Sequence, residues 1–145
     1  MIRIICSGKI KETYLTQLID DYKKRISKYH KLEIIEIKDE NSLEKERDSI
    51  MKHISNTDYV IACTIDGVLT TSEQLAEKID KTFIKSSTID FVIGSSIGIH
   101  EDILNIADEK ISFSRMTFPH GLFRGLLLEQ IYRSFKINNH ETYHK

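Results

Sequence analysis

The sequence contains few of the residues that build covalently linked or metal-stabilised folds. Its two cysteines, Cys6 and Cys63, lie in separate apolar runs and form no CxxC pair. Without such a pair, neither a zinc site nor a redox motif is indicated, and no metal is expected. Because isolated cysteines in apolar runs are usually buried, we predict two reduced thiols in the core.

Long hydrophobic runs are also missing. No apolar run approaches the roughly 20 residues that cross a bilayer. The N-terminal residues MIRIICSGKIKE contain neither the apolar stretch nor the small-residue cleavage site of a signal peptide. These absences predict a cytoplasmic protein with no membrane partner.

The chain lacks a strong excess of charge of either sign. Charged residues make up 30% of its 145 residues, yet the formal net charge is -1, which argues against a generally basic coat for nucleic acid. Residues 111–145 nevertheless hold five Lys or Arg against two Asp or Glu. A basic end on an acidic body fits an anionic partner, although small imbalances of this kind are common.

Apolar runs and helical stripes alternate along the chain, which predicts one α/β domain over residues 1–145. Strands separated by helices imply a mostly parallel sheet of about five strands with helices on both faces. The turn dipeptide Asp66-Gly67 is expected to close the third strand, and Ser72 to cap the helix that follows. The predicted strands span residues 2–6, 32–37, 59–65, 89–93 and 110–113, and helices span 14–28, 42–54, 101–107 and 121–136.

Ligands of open α/β sheets bind outside the carboxyl ends of the strands, and three such ends stand out. The first is 63–67 and the second is 94–98, where Gly94 and Gly98 allow positive φ and close approach of a ligand. The GxxxG spacing matches neither the dinucleotide fingerprint nor a P-loop, so a purely geometric turn is an equal alternative. The absent GxGxxG also disfavours a Rossmann-type oxidoreductase.

The third strand end, 113–120, is unusual because apolar residues occupy a loop. It contains the only proline of the chain, and Phe113, Met116 and Phe118 stand near Arg115 and His120. A ligand, a partner subunit or burial within the fold would each cover such residues, and simple core packing is the alternative.

The last helix and the terminus carry polar groups whose role the pattern leaves open. Arg124 and Arg133 fit contacts with a phosphate backbone, and they fit a solvated helix face equally well. The short polar ending is, by default, disordered.

The ending of the chain closely resembles the ribosomal RNA large-subunit methyltransferase H family of SPOUT methyltransferases. The residues that carry the resemblance are FSRMTFPHGLFRGLLLEQIYRSFKI, residues 113–137, and the final YHK. The resemblance covers the whole chain, including GKIKE at 8–12, LEIIEIKD at 32–39, Asp66-Gly67 followed by Ser72-Glu73, and FVIGSSIGIH at 91–100.

This resemblance implies a SPOUT-type domain with a deep trefoil knot at its C-terminal end, which works as a homodimer. It implies S-adenosylmethionine as the methyl donor. The implied substrate is a pseudouridine of 23S ribosomal RNA, methylated at N3 in the assembled 70S ribosome.

The resemblance also assigns cofactor-binding positions. Members of the family usually carry leucine where Cys63 stands, and they read GG where this chain reads Gly94-Ser95. The second departure bears on the loop's shape, because serine tolerates positive φ less well than glycine. The expected cofactor-binding residues are Cys63, Gly94, Phe113, Ser114, Arg115, Met116, Thr117 and Phe118.

For catalysis we expect Arg133 and the ending Tyr143, His144 and Lys145 to act on the RNA side, reaching the partner subunit's cofactor pocket. His144 is a candidate base for the N3 proton, and His120 is a second one with a structural role as the alternative. Arg133 and Lys145 could stabilise negative charge on the base. The competing functions are a SPOUT methyltransferase acting on another RNA such as tRNA, and a non-catalytic ribosome-binding factor.

Overall fold

The computed structural model describes all 145 residues, Met1–Lys145. Five parallel strands form one sheet in the order β2-β1-β4-β3-β5, which confirms the predicted α/β class and the parallel pairing. No helix has the length and apolar character that a bilayer crossing requires. The elements are β1 (Ile2–Ser7), α1 (Thr13–Ile26), β2 (Leu32–Ile37), α2 (Leu43–Met51), β3 (Tyr59–Leu69), α3 (Ser72–Lys85), β4 (Ile89–Ile93), α4 (Glu101–Ile106), β5 (Glu109–Ser112) and α5 (His120–Asn138).

Helices cover both faces of the sheet, as predicted. Side chains alternate between the faces along each strand, so Ile4 packs in a cluster with residues of α1, α3 and α5. Ile5 points the other way and packs with Ile50 of α2 and Ile103 of α4. The central strand β4 is buried along its whole length, because both of its faces and both of its edges are covered.

The start of α3 differs from the prediction by one residue. Thr71, rather than Ser72, caps the helix: its hydroxyl accepts from the Gln74 amide at 3.1 Å, and the Gln74 side chain accepts from the Thr71 amide at 2.8 Å. This reciprocal pair satisfies two amides that the helix leaves without partners. It leaves the Ser72 hydroxyl free to donate to Gln130 of α5 at 2.6 Å.

The third strand does not end at Asp66-Gly67, so that prediction was wrong. β3 pairs with β5 up to Cys63, bulges over residues 64–67, and resumes pairing where Val68 meets Ile111. A Cβ on Gly67 would lie 2.9 Å from backbone carbons of β5. Gly67 therefore allows β3 and β5 to approach closely inside the bulge, and it does not close a turn.

After the edge strand β5, the chain returns across the sheet to the opposite side. Arg124 of α5 is only 3% exposed; it donates to Glu36 at 2.7 Å and to the carbonyl oxygen of Gly8 at 3.2 Å. The sequence pattern fitted Arg124 as a phosphate contact or as a solvated charge, and the structure contradicts both. The residue instead fastens the last helix to the ends of β1 and β2.

A buried ion pair lies at the opposite end of the sheet. Arg3 donates to Asp90 at 2.7 and 3.0 Å and to Asp58 at 2.6 Å, and Asp90 is completely buried. Burial raises the pKa of Asp90 to about 6, although Arg3 favours the charged form. Asp90 therefore depends on Arg3 for its charge at neutral pH.

We expect Arg3→Met to lower the free energy of unfolding by about 3–5 kcal/mol at pH 7.5, since an unpaired carboxylate would stay buried. Raising a carboxyl pKa in the folded state makes its contribution to stability largest at low pH and lost as the pH rises through the folded value. Without Arg3 the pKa of Asp90 should lie above the value of about 6 that it has beside Arg3. The loss in Arg3→Met should therefore shrink as the pH falls from 8 toward about 6 and change little below that. Urea unfolding measured from pH 5 to 8 checks this, and an equal loss at both ends would contradict it. Adding Asp90→Asn to Arg3→Met should recover part of the stability.

Candidate active site

A cavity of about 810 Å³ opens on the carboxyl-end side of the sheet. It lies between the ends of β3 and β4 and the segment that joins β5 to α5. This volume falls within the range of pockets that hold small molecules and cofactors. Its lining includes Cys63, Thr64, Ile93, Gly94, Ser95, Phe113, Ser114, Met116, Thr117, Phe118, His120 and Phe123.

The glycine loop after β4 forms one wall of the cavity. The reason why this loop needs glycine at Gly94 differs from the one predicted. Of its two glycines only Gly98 has a positive φ, +95°. Gly94 is required for close approach, because a Cβ there would lie 2.7 Å from the carbonyl oxygen of Gly98 and 2.6 Å from Ile99. Ser95, whose tolerance of positive φ was in question, is not in that region. It is 9% exposed, and its carbonyl oxygen accepts from the Gly98 amide at 2.9 Å.

The segment between β5 and α5 forms the facing wall and is fixed to the bulge of β3. Arg115 donates to the carbonyl oxygens of Ile65 and Gly67, the latter at 2.9 Å. The Ser112 hydroxyl also donates to Ile65, at 2.8 Å. The guanidinium of Arg115 is thus engaged with the bulge and is absent from the cavity lining. The other seven residues expected to bind cofactor all line the cavity.

Aromatic rings give this segment a rigid apolar surface. Phe123 lies 5.0 Å from Phe113 and 6.5 Å from Phe118 between ring centroids. Met116, in contrast, is 72% exposed. Core packing therefore explains the phenylalanines of the apolar loop, but it does not explain the methionine.

Cys63 contributes an inert thiol to the floor of the cavity. Both cysteines are buried free thiols, as predicted. Burial raises the pKa of Cys63 to about 12 and that of Cys6 to about 11. Cys63 is therefore protonated at neutral pH, so it cannot act as a thiolate nucleophile toward a bound ligand.

The lining suits a ligand that combines an aromatic base with a hydroxylated sugar. Apolar side chains dominate it, and hydroxyls of Ser114 and Thr117 stand among them. The Thr64 hydroxyl is buried without a hydrogen-bond partner, which leaves a polar group available to a ligand. Asp66 supplies the one carboxylate of the lining and can attract a cationic group.

The expected catalytic residues lie elsewhere, at the far part of α5. Arg133 follows His120 by 13 positions in the helix, which corresponds to roughly 20 Å along its axis. A smaller cavity of about 260 Å³ lies between the two regions, lined by Ser72, Leu126 and Gln130 and sharing Phe113 and Phe118 with the large one. The structure therefore separates the sequence-predicted residues into two groups within one subunit.

Glu129 organises the second group, and sequence analysis missed it. One of its oxygens accepts from Arg133 Nε at 3.0 Å and Nη2 at 2.5 Å, and from the Tyr143 hydroxyl at 3.0 Å. Arg133 also lies over the Tyr143 ring at 4.7 Å. Burial, and then the hydrogen bonds with Tyr22 and Glu129, raise the pKa of Tyr143. The chain ending is packed against α5, which contradicts the default of disorder.

His144 is held between two charged residues. Arg133 Nη1 lies 3.1 Å from Nδ1, and Glu73 Oε1 lies 2.6 Å from Nε2. Because arginine only donates, Nδ1 must accept, and Nε2 therefore carries the proton donated to Glu73. Hydrogen bonding of Glu73 to its own amide and then to His144 lowers the pKa of that carboxyl. Such a carboxylate fixes the tautomer and the orientation of the imidazole. Lys145 is exposed at the end of the chain.

The contacts of Glu73 and Glu129 could not be found from the sequence pattern, because isolated acidic residues on helices usually face solvent. The only signal was the position of Glu73 beside Ser72 in the run shared with the resembled family. No group of three or more His, Cys, Asp or Glu side chains is placed to hold a metal ion.

Comparison with known proteins places the chain among methyltransferases over its full length. A family model described as a predicted SPOUT methyltransferase matches residues 1–144. The chain is 50% identical to the putative ribosomal RNA large subunit methyltransferase H of Methanococcus maripaludis, with 99% of each chain covered. It is 47% identical to the ribosomal RNA large subunit methyltransferase H of Clostridium novyi and 46% to that of Bifidobacterium animalis, with the same coverage.

A solved structure supports the fold independently of sequence. The SpoU methyltransferase AviRb from Streptomyces viridochromogenes, crystallised with AdoMet, is 7% identical. It aligns with a TM-score of 0.50 over 92% of this chain and 57% of its own. At this identity the likeness concerns the fold alone.

Proposed function

Because the chain belongs to the ribosomal RNA large-subunit methyltransferase H family of SPOUT methyltransferases, we propose that it methylates N3 of a pseudouridine in 23S ribosomal RNA. S-adenosylmethionine is the donor, the assembled 70S ribosome is the substrate, and the site of action is the cytoplasm. The observation that carries the proposal is the cavity of about 810 Å³ lined by seven residues expected to bind cofactor.

The residues of the cavity fit S-adenosylmethionine, which supplies an electrophilic methyl group when bound. Phe113, Phe118 and the backbone of the glycine loop would hold the adenosine. The orphaned hydroxyl of Thr64 would gain a partner on the ligand. Asp66 would face the cationic end of the donor. Arg115 serves the site indirectly, by holding the 113–118 segment against the bulge of β3.

The acceptor N3 must lose a proton, and His144 is the residue placed to take it. Its Nδ1 has an available lone pair once the contact with Arg133 is released, and Glu73 then stabilises the imidazolium. The freed Arg133 would stabilise negative charge that develops on the base. A positioned general base contributes roughly 10²–10⁴-fold to a rate. His120 lines the cofactor cavity, and we assign it a structural role at the start of α5.

The separation of the two groups supports a homodimer with composite sites. Arg133 lies ten residues beyond Phe123, the last residue of α5 in the cavity lining, which corresponds to roughly 15 Å along the helix axis. The tail packs beside Arg133 and contributes no residue to that lining. A second subunit related by two-fold symmetry would bring its tail to this subunit's cavity, and reciprocally. The exposed Met116 at the rim of the cavity would be covered in such an arrangement.

A C-terminal trefoil knot fits the course of the chain. The segment after edge strand β5 crosses the carboxyl ends of β3 and β4, and α5 then reaches Gly8 beyond β1.

Glu129→Gln is expected to lower the methylation rate roughly tenfold and leave cofactor affinity unchanged. The loss of the carboxylate removes the anchor shared by Arg133 and Tyr143, so part of the contribution of the positioned base is lost. Because Glu129 helps to raise the pKa of Tyr143, one tyrosine should also titrate at lower pH in the ultraviolet spectrum. Glu77→Gln, whose carboxylate pairs only with Lys81 on α3, is the matched control. Unchanged turnover in Glu129→Gln would contradict this role.

Transfer of labelled methyl groups tests the function itself. The purified protein is incubated with labelled S-adenosylmethionine and with 70S ribosomes that lack the modification, isolated 50S subunits, or tRNA. Label only in 23S RNA of 70S ribosomes, mapped to N3 of a pseudouridine, is the expected result. Label in tRNA would assign another RNA substrate. Cofactor binding without transfer to any acceptor would favour the non-catalytic ribosome-binding factor.

A further inference from the structure

The C-terminal half of α1 and the turn after it carry a dense run of positive charge. The residues are Lys23, Lys24, Arg25, Lys28 and Lys31, which we call the α1 basic patch. All five are exposed. Only Arg25 forms a salt bridge, with Asp21 at 3.1 Å. Four lysines within nine residues thus lack an ionic partner, in a chain whose net charge is -1.

Helix electrostatics account for only part of this run. Cations near the last turn of a helix stabilise its dipole, which explains Lys23, Lys24 and Arg25. Lys28 and Lys31 lie beyond the last helical residue, Ile26, where the dipole no longer favours them. Mutual repulsion among close like charges costs stability, so an anionic partner would relieve it.

Aromatic rings connect the patch to the residues proposed for catalysis. The Arg25 guanidinium lies 5.6 Å from the Tyr132 ring, and Lys136 Nζ lies 5.6 Å from the same ring. The centroids of the Tyr132 and Tyr143 rings are 4.9 Å apart. The Arg133 guanidinium lies over the Tyr143 ring. A strip of cation–ring and ring–ring contacts, which passes through the buried Tyr132, therefore runs from α1 to the tail.

The composition of the strip favours a nucleic-acid backbone over a lipid surface. Membrane-surface helices pair basic side chains with exposed apolar ones. Tyr14 is the only large hydrophobic residue of α1 that is exposed, and it lies at the opposite end of the helix. Exposed lysines without an ionic partner are typical of surfaces that bind RNA phosphates.

We infer that the α1 basic patch is a docking surface for the phosphate backbone of the substrate RNA, continuous with the Arg133–tail region. This inference rests on the proposed function. The patch holds the ribosome at a distance from the reacting atoms, so it contributes to substrate affinity and leaves the chemical step unchanged.

The test compares two quadruple variants of the full-length protein with equal charge change. One replaces Lys23, Lys24, Lys28 and Lys31 by Gln. The control replaces Lys38, Lys45, Lys52 and Lys81, which are exposed elsewhere, in the same way. Each protein is assayed for binding to 70S ribosomes between 50 and 200 mM salt — values of the order at which such contacts weaken — and for methylation kinetics. Cofactor binding by each variant verifies that it is folded.

The patch variant should bind ribosomes at least about tenfold more weakly, with a salt slope smaller by roughly 2–3, since each phosphate contact contributes about 0.7–0.9. Its KM for ribosomes should rise while kcat stays unchanged. Identical affinity and slope in the two variants would overturn the inference. Patch-dependent binding to phosphatidylglycerol vesicles with unchanged ribosome binding would overturn it in favour of a lipid surface. A wild-type protein that labels no ribosome refutes the proposed function instead, so the two failures are distinguishable.

Discussion

Deletion of residues 143–145 is expected to abolish methylation of 70S ribosomes, by at least about 10³-fold, while S-adenosylmethionine binds with unchanged affinity. The deletion removes the candidate base together with Tyr143, and a general base alone contributes roughly 10²–10⁴-fold. Cofactor affinity should survive because the tail contacts Glu129, Arg133 and Glu73 and none of the cavity lining.

Single-turnover assays and calorimetric titration of the cofactor measure the two quantities separately. Lys145→Ala is a milder variant of the tail. Because Lys145 is exposed, its replacement should leave the packing of the tail unchanged. Its effect should be confined to loss of one charge near the substrate. Full turnover by the truncated protein would refute any catalytic role for the tail.

Gly94→Ala should weaken S-adenosylmethionine binding on the order of 10²-fold. The new methyl group would lie 2.7 Å from the Gly98 carbonyl oxygen and 2.8 Å from its carbonyl carbon. Backbone atoms cannot rotate away as a side chain can, so the loop must shift. Overpacking of this kind costs roughly 1–3 kcal/mol, and each 1.4 kcal/mol lost from binding lowers the affinity about tenfold. Ile97→Ala is the control, since Ile97 belongs to the same loop and is absent from the cavity lining. Calorimetric titration measures both variants, and a normal affinity in Gly94→Ala would show that the loop adapts.

The two variants together test whether the active site spans two subunits. In a co-expressed mixture, a composite site can form from the intact cavity of the truncated chain and the intact tail of the Gly94→Ala chain. Half of randomly assembled dimers are mixed, and each has one complete site of two, so roughly a quarter of wild-type activity should return. The mixture is assayed at a cofactor concentration near the wild-type Kd, where the Gly94→Ala cavity is almost empty. If each subunit uses its own tail, the activity of the mixture should not exceed that of the Gly94→Ala protein alone.

The sequence predicts the sheet well because parallel strands buried on both faces are continuous apolar runs. The strands 32–37 and 89–93 agree with β2 and β4 at both ends. The prediction failed at Asp66-Gly67, because a bulge and a turn both use glycine, and only the pairing of Val68 with Ile111 distinguishes them. Long-range geometry of this kind is not encoded in local spacing.

The cavity was predicted through family resemblance more than through residue physics. Strand ends indicated where a ligand would bind, but GxxxG and an apolar loop each had an equal structural explanation. The hydrogen bonds of the tail could not be predicted from the sequence, because Glu73 and His144 are 71 positions apart. Arg124 was misjudged for the same reason, since the pairing that buries it lies 88 positions away, at Glu36.

Arg124 also affects the order in which the parts of the protein can fold. Its hydrogen bonds to Ser7 and Gly8 join residues 117 and 116 positions apart. A ribosome releases the chain from its N-terminus, so β1 and β2 emerge long before the helix that fastens them. Contacts between such distant parts of a chain also slow folding, because a long loop must be closed before they form. The wall of the cofactor cavity directly precedes that same helix, so it takes its place only after most of the chain is available to fold.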